Sequence, residues 1–377
     1  MRIGIDLHTA TDFMQGTRTY ILNIVKHLLK IDKENEYILY VTKGSNALQS
    51  LFSQENVSFK HVIPHHRMIR IPISFPIRLA LDSIDVFHCQ YMGPPLARTP
   101  YVVIIHDIIH EYLPELYPKS LSYLMRIFYP LSARRASRVL TISENSKRDI
   151  VKFYKVPEEK VIVTYLAVSD SFYPIAEKDI IEDSLKKYGI NGEYILFVGR
   201  LEPRKNLPRL VSAFHELKKD KKIKQKLVIA GMKYYRYEEI FNTVNDLGLQ
   251  DEVIFTGRVE DADLPILYNG ASLFVYPTIA EGFGLPPLEA MACGTPVISS
   301  NTSSLPETIG DAGILVDPYN TMGLAEAMHD VLSNKNLQEK MKMEGLKKAK
   351  SFSWEQTARK TLEVYKEVYE ERRTKKR

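Results

Sequence analysis

Short apolar runs alternate with amphipathic segments along the whole chain, and this alternation limits the possible folds more than any other feature. An apolar run of this kind suits one buried strand, and the segments between runs suit helices that connect parallel strands. The pattern therefore predicts α/β units with parallel sheets. We expect strands at residues 2–7, 37–41, 57–62, 85–88, 101–106, 138–142, 161–165, 194–198, 226–230, 252–255, 272–276, 297–299 and 313–316.

The length of the chain favours two domains. A chain of 377 residues is long for one hydrophobic core. Between residues 170 and 191 the strand pattern gives way to charged residues, and we place the interdomain linker there. Each half has the pattern of a doubly wound domain, which binds ligands at the carboxyl ends of its strands. A cleft between two such domains is the expected ligand site.

The composition excludes several classes of protein. With 45% hydrophobic and 26% charged residues the chain is expected to fold, and a net charge of +5 does not indicate nucleic-acid binding. Cys89 and Cys293 lie inside apolar runs, which predicts buried thiols in a reducing compartment and no disulfide. The first residues resemble a strand rather than a signal peptide, and no run reaches about 18–20 apolar residues. We therefore expect a cytoplasmic protein.

One block of the second half combines a glycine turn with the start of a helix. Residues 281–289, EGFGLPPLE, lie between two apolar runs, with Gly282 and Gly284 placed to turn the chain. Pro286 and Pro287 suit the first helical turn because proline needs no amide donor there. The unpaired amides and the positive end of the helix dipole favour an anion at this point.

Two carboxylates flank this turn, Glu281 in the loop and Glu289 in the helix. Carboxylates beside an anion site suit a ligand with both phosphate and hydroxyl groups, such as a nucleotide sugar. Taken singly, Glu289 could merely stabilise its own helix start, and the glycines could be ordinary turn residues.

Further polar residues follow other predicted strands. Arg200 and Lys205 lie in the loop after residues 194–198, where two cations could clamp a diphosphate or form a solvated basic loop. Asn206 is predicted to cap the next helix. His106 ends the strand at 101–106, a position where a single histidine is most often structural.

The block EGFGLPPLEAMACGTPVISSNTSSLPE, residues 281–307, closely resembles the E-x7-E signature of the family 4 retaining glycosyltransferases. The resemblance extends over nearly the whole chain. It implies an α/β fold of GT-B architecture, with two doubly wound Rossmann-like domains facing an interdomain cleft. By this resemblance residues 1–172 would bind the acceptor and 173–353 the nucleotide-sugar donor. Residues 354–377 would form a helix crossing back to the first domain and a charged, frayed tail.

The resemblance also implies roles for the residues of the second half. Glu281 would hold hydroxyls of the donor sugar, and Glu289 would accept hydrogen bonds from the ribose. Arg200 and Lys205 would bind the donor phosphates and neutralise the departing diphosphate in place of a metal. The remaining donor-binding positions would be Gly282, Phe283, Gly284, Leu285 and, near the base, Val259.

Two residues of the first half match the family pattern as well. His106, in a His-Asp pair, would contact the donor sugar and stabilise charge at the anomeric carbon. Gly16 stands where the family has a glycine-rich loop, just before a helix predicted from residue 19 to about 30.

The family implies a retaining hexosyltransferase that uses no cofactor and no catalytic metal. The second half looks most like bacterial mannosyltransferases of polysaccharide assembly, so we expect GDP-mannose as donor and a glycan or lipid-linked saccharide as acceptor. Two alternative donors are UDP-glucose and a UDP-N-acetylhexosamine. Two alternative functions are that of a sugar-nucleotide epimerase and that of a catalytically silent scaffold that binds a nucleotide sugar. A dinucleotide-dependent oxidoreductase is disfavoured because no G-x-G-x-x-G follows a strand. The sequence does not specify an oligomeric state.

Two segments of the first half are basic, residues 65–78 and 119–138. Each mixes arginines with apolar or aromatic residues, so each could contact an anionic membrane peripherally. The alternative is a helix packed on its sheet with a solvated basic face.

Overall fold

A computed structural model describes residues 1–11, 15–42 and 46–376 of the chain. The chain forms two compact units. The first comprises Met1–Tyr112, Lys119–Leu166 and Ser353–Arg377, and the second comprises Leu113–Pro118 and Ala167–Phe352. No helix within the described ranges is long and apolar enough to cross a lipid bilayer.

The first unit is built on a seven-stranded sheet in the order β3-β2-β1-β4-β5-β6-β7, and its paired strands are parallel. Strands β1, β4 and β5 have almost entirely buried side chains, as expected of strands covered on both faces. The strands are β1 Arg2–Asp6, β2 Glu36–Val41, β3 Val57–His61, β4 Val86–Gln90, β5 Tyr101–Ile104, β6 Arg138–Thr141 and β7 Val161–Val163.

The second unit has a six-stranded sheet in the order β10-β9-β8-β11-β12-β13, again with parallel pairs. Its central strands β8 and β11 are fully buried. The strands are β8 Tyr194–Val198, β9 Lys226–Ala230, β10 Val253–Gly257, β11 Leu273–Tyr276, β12 Val297–Ser300 and β13 Ile314–Val316.

Helices connect the strands of both sheets. In the first unit a π-helical turn, Arg70–Ser74, joins α3 to α4. The last helix, α15, packs on α1 and on β4 of the first unit. The helices are α1 Gln15–Ile31, α2 Asn46–Leu51, α3 Arg67–Ile69, α4 Phe75–Leu81, α5 Lys119–Arg135, α6 Glu144–Tyr154, α7 Lys178–Lys186, α8 Leu207–Lys221, α9 Glu238–Asp246, α10 Leu264–Gly270, α11 Leu285–Ala292, α12 Leu305–Ile309, α13 Thr321–Ser333, α14 Lys335–Lys350 and α15 Trp354–Lys376.

The predicted parallel α/β units are confirmed, since each predicted strand is present with ends that shift by a few residues. Cys89 and Cys293 are both buried free thiols, as expected. The charged stretch where we placed the linker contains α7, because Ile181 and Leu185 give that helix an apolar face that is buried in the second unit.

Two local predictions were wrong. Helix α1 begins at Gln15 rather than at residue 19, so Gly16 lies in its first turn. The tail expected to fray is helical through Lys376. Contacts of the tail explain this difference, since the guanidinium of Arg372 donates hydrogen bonds to the carbonyls of Ile84 and Asp85 at 3.2 and 3.0 Å.

The ends of β8 and β9 approach each other through two glycines. Gly231 has a φ of +155°, and a Cβ atom added there would lie 1.8 Å from the carbonyl oxygen of Gly199. Backbone hydrogen bonds fix both residues, from Gly199 N to Ala230 O and from Gly231 N to Gly257 O, each at 2.9 Å. The loop after β8 begins at Gly199, and its close approach to residue 231 therefore requires a glycine at that position.

We expect Gly231→Ala to lower the free energy of unfolding by about 3 kcal/mol, because the methyl group would collide with backbone. Gly248→Ala is the control, since Gly248 also has a positive φ, +66°, but has no atom within 4 Å of the added Cβ. The control should lose about 1 kcal/mol from backbone strain alone. Urea denaturation of the full chain measures both values, and equal losses would show that the Gly199 carbonyl moves aside without cost.

Candidate active site

The sheet of the second unit changes winding direction between β8 and β11, which are neighbours although the chain visits β9 and β10 between them. In doubly wound folds ligands bind at the carboxyl ends of the strands at this switch point. The two loops that leave these strands, residues 199–206 and 277–284, carry the carboxylates and cations that the sequence indicated.

Four charged side chains from these loops form one buried group, here called the charge cluster: Glu202, Arg204, Lys205 and Glu281. The Arg204 guanidinium lies between the two carboxylates, 2.8 Å from Oε1 of Glu202 and 2.9 Å from Oε2 of Glu281. Nζ of Lys205 lies 2.6 Å from Oε1 of Glu281. The formal charges within the cluster cancel.

Glu281 is held in its ionised form by these neighbours. Burial alone would raise the pKa of its carboxyl group, but the charges of Arg204 and Lys205 and their hydrogen bonds lower that pKa to about 2. The hydroxyl of Tyr276 donates a further hydrogen bond to Oε1 at 3.1 Å. The backbone is fixed too, because the amide of Glu281 donates to Oγ of Ser303 at 2.8 Å. Glu281 is therefore a rigid, charged acceptor.

Lys205 lies against the aromatic ring of Tyr276 as well as Glu281. Its ammonium group donates to the Tyr276 hydroxyl and to Glu281 Oε1, both at 2.6 Å. Burial lowers the pKa of Lys205, and the charge of Glu281 opposes this effect. An ammonium group has three N–H donors, so these two contacts leave one for a ligand.

Arg200 is the more accessible cation of the same loop. Its guanidinium stacks over the ring of Tyr234 at 4.4 Å and lies 3.6 Å from Glu202. Its side chain is 31% exposed, against 8% for that of Lys205. Because the charge cluster is neutral, Arg200 leaves residues 199–206 and 277–284 with one excess positive charge, which suits a diphosphate.

The predicted glycine turn leads directly into α11. Gly284 occupies the N-cap position with a φ of +96°, a conformation that favours glycine, and the prolines stand at the start of the helix as predicted. Gly282 and Phe283 are buried beside it. The amide end of α11 thus lies next to Glu281, where its dipole favours an anion.

Glu289, in the middle of α11, has a different environment from Glu281. Burial is the main cause that raises the pKa of its carboxyl group to about 7, and the charge of Asp261 adds to this effect. The hydrogen bond that the Tyr268 hydroxyl donates at 2.9 Å lowers the pKa and offsets only part of the rise. One carboxylate of the signature is thus paired with cations, and the other is a buried acid near neutrality.

His106 follows β5 in the first unit. The imidazole is buried, and its Nε2 atom has no hydrogen-bond partner among the described residues. Its ring packs edge-on against Tyr20 at 5.1 Å and is tilted against Tyr91 at 5.3 Å. Burial, with a smaller contribution from His88, lowers the pKa of His106 to about 3. The residue is therefore neutral at pH 7 and offers an unused ring nitrogen.

The remaining predicted residues are placed as follows. Gly16 is exposed in α1, with open space where a Cβ would be. Val259 follows β10 and is buried. The predicted cap by Asn206 was wrong, because its side-chain amide donates instead to the carbonyls of Pro277 and Pro318 at 3.0 and 2.7 Å. It joins loops rather than capping α8.

Two members of the charge cluster, Glu202 and Arg204, were not predicted from the sequence. Arg204 stands beside the predicted Lys205, and this adjacency was the only available signal. Its partners Ala280 and Glu281 lie far away in the sequence, so the fold alone reveals its role. No group of three or more His, Cys, Asp or Glu side chains in the described ranges is placed to hold a metal ion.

We expect Arg204→Met to lower the free energy of unfolding by roughly 3–5 kcal/mol, because it leaves two buried carboxylates without their shared partner. Arg200→Met is the matched control and should cost less than about 1 kcal/mol, since Arg200 is partly exposed and more distant from Glu202. Urea denaturation compares the two variants. Equal losses of unfolding free energy in the two variants would mean that Arg204 does not stabilise the buried carboxylates.

Comparison with known proteins identifies the family of the chain. Residues 14–172 match the model of Glycosyltransferase Family 4, and residues 180–348 match that of Glycosyl transferases group 1. The chain is 31% identical to the O-antigen chain mannosyltransferase B of Escherichia coli over 94% of its own length and 96% of the relative's. It is also 31% identical to the serotype-specific mannosyltransferase WbdA of Escherichia coli, of which it covers 40%.

Solved structures share the fold at lower identity. Sucrose-phosphate synthase from Thermosynechococcus elongatus superposes with a TM-score of 0.78 at 19% identity, covering 98% of this chain and 99% of that one. Anabaena HepE in complex with UDP and glucose superposes with a TM-score of 0.76 at 19% identity, covering 97% and 100%. Sequence and fold lead to one conclusion: the chain belongs to the family 4 glycosyltransferases and has the GT-B fold.

Proposed function

We propose that this glycosyltransferase moves mannose from GDP-mannose to a glycan or lipid-linked saccharide in the assembly of a surface polysaccharide, with retention at the anomeric carbon and without a metal. The observation that carries the proposal is the charge cluster at the switch point, with the amide end of α11 beside it. The choice of mannose rests on the relatives, since those at 31% identity are named as mannosyltransferases.

In this proposal the second unit holds the donor by its charged and hydroxyl groups. Arg200 and the third N–H of Lys205 bind the diphosphate and offset the negative charge that develops as it leaves. Glu281 already accepts three contacts, and the remaining lone-pair position of its carboxylate accepts a sugar hydroxyl. Glu289 accepts from the ribose, and Val259 lies beside the base.

The loop before α11 completes the proposed donor site. The amides of Gly282, Phe283, Gly284 and Leu285 would contact the sugar and the phosphates, because a helix N-terminus presents unpaired N–H groups to an anion. The proposed roles of two further residues rest on the family resemblance. His106 would contact the donor sugar, and Gly16 would let backbone amides approach a phosphate closely. A neutral His106 with an unused Nε2 suits a hydrogen bond to a sugar.

Other donors are the main competing possibility. UDP-glucose is favoured by one observation, since a structural neighbour, Anabaena HepE, is solved in complex with UDP-glucose. A UDP-N-acetylhexosamine donor, an epimerase and a silent binding scaffold are alternatives that the same experiment separates.

The test measures nucleotide release from GDP-, UDP-, ADP- and CMP-sugars by slow hydrolysis, which needs no acceptor, with and without EDTA. We expect release from GDP-mannose that survives EDTA and falls about a hundredfold in Lys205→Ala and in Glu281→Ala, because each loses a group that stabilises the leaving diphosphate or the sugar. Lys187→Ala is the control, since Lys187 is half exposed and pairs with Asp263.

The outcomes separate the alternatives clearly. Nucleotide release from a UDP-sugar alone would show that the donor is that UDP-sugar and not GDP-mannose. Loss of activity in EDTA would contradict a metal-independent reaction. Conversion of the sugar without nucleotide release would indicate an epimerase. Silence with every donor, together with no nucleotide-induced rise in melting temperature, would favour the scaffold.

A further inference from the structure

The helical segment 67–81 of the first unit presents an apolar stripe to solvent. Ile69, Ile73, Ile77 and Leu81 recur at every fourth residue, and their side chains are between 42% and 71% exposed. Residues four apart lie on one face of a helix. Apolar side chains in such a row form a continuous exposed surface rather than scattered single positions.

The opposite face of the same segment is already packed. Arg70, Ser74, Phe75 and Leu79 are buried there, and Phe75 and Leu79 belong to the hydrophobic core of the first unit. The stripe therefore cannot turn inward without exposing that core face. A helix that is apolar on both faces is expected to be covered on both.

Helix α5 carries a second stripe of the same kind. Tyr123, Ile127 and Leu131, again four residues apart, are exposed while Tyr129 and Ala133 are buried on its inner face. The start of the first segment meets α5 along an apolar groove, which is lined by Arg67, Met68, Leu121, Leu124, Met125 and Phe128. The two stripes therefore lie on neighbouring helical segments of the first unit.

The two segments that form this surface carry basic residues and no acidic ones. Neither residues 65–81 nor residues 119–138 contain an aspartate or a glutamate, although the chain has 46 acidic residues in all. Arg67, Arg126, Arg134 and Arg135 are exposed along the two helical segments. Glu111, outside both segments, pairs with Arg126. Apolar stripes flanked by arginines match a surface that is apolar inside and anionic at its boundary.

We propose that the two stripes dock the first unit on a membrane leaflet that contains anionic lipid. The apolar side chains enter the boundary between headgroups and acyl chains, and the arginines contact the lipid phosphates. The inference rests on the proposed function in one respect, since a lipid-linked acceptor would give the transferase a reason to lie on the membrane. A membrane is favoured over a protein partner because both segments carry arginines beside the apolar stripes and no acidic residue, which matches anionic headgroups over an apolar interior.

Co-sedimentation of the full chain with vesicles tests the proposal. Vesicles of phosphatidylcholine, with and without phosphatidylglycerol, are compared at low and high salt. We expect binding to the anionic vesicles that weakens in salt and falls at least tenfold in the double variant Ile73→Glu and Ile77→Glu. Met343→Glu is the matched control, because Met343 is 65% exposed on α14 of the second unit and should leave binding unchanged.

Donor hydrolysis measured without vesicles distinguishes this proposal from the proposed function. The double variant and Met343→Glu should both hydrolyse the donor like the wild type, even though only the double variant loses vesicle binding. Absence of binding to anionic vesicles at low salt would overturn the proposal, as would equal binding by the stripe variant. A wild-type dimer in solution that the stripe variant abolishes, with no vesicle binding, would also overturn it and assign the surface to a second copy of the chain.

Discussion

The buried ion pairing between Arg204 and two carboxylates underlies the candidate site. The loop after β8 has only a short 3-10 turn, Pro203–Lys205, and a single bridge to Lys233, so side chains contribute much of what joins it to the loop after β11. Arg204 joins them three times: its guanidinium contacts Glu281, it donates to the carbonyl of Ala280 at 2.9 Å, and its own carbonyl accepts from the amide of Ile279 at 2.9 Å. Asn206 adds its hydrogen bonds to the carbonyls of Pro277 and Pro318.

Burying four charges is costly unless each is paired, and the site satisfies this condition for all members of the cluster. The consequence for chemistry is preorganisation. Glu281 is ionised and immobile, Lys205 has one donor left for a ligand, and Arg200 adds an unbalanced positive charge. In the proposed reaction, the departing diphosphate would meet groups that are already oriented, and such preorganised charges lower a barrier by electrostatic stabilisation.

Much of this arrangement could be predicted from local sequence. Apolar runs located the strands, and the turn before α11 followed from Gly284 and the two prolines. The roles of Arg204 and Asn206 could not be predicted, because both depend on loops that only the folded sheet brings near. Asn206 was expected to cap α8, yet tertiary contacts with two carbonyls determined its side chain instead. The helical tail likewise depends on Arg372 reaching the carbonyls that end the turn before β4.

The central claim is that Arg204 and Lys205 keep Glu281 ionised inside the protein, and the pH dependence of stability tests it most directly. A carboxyl whose pKa falls on folding, here from 4.5 to about 2, adds stability that is present above the unfolded pKa and is lost as the pH falls through the folded pKa. We compare urea denaturation of the wild type and Glu281→Gln across this range. The account predicts that the wild type's advantage shrinks by about 3 kcal/mol between pH 5 and pH 2. An advantage that does not change with pH would contradict it.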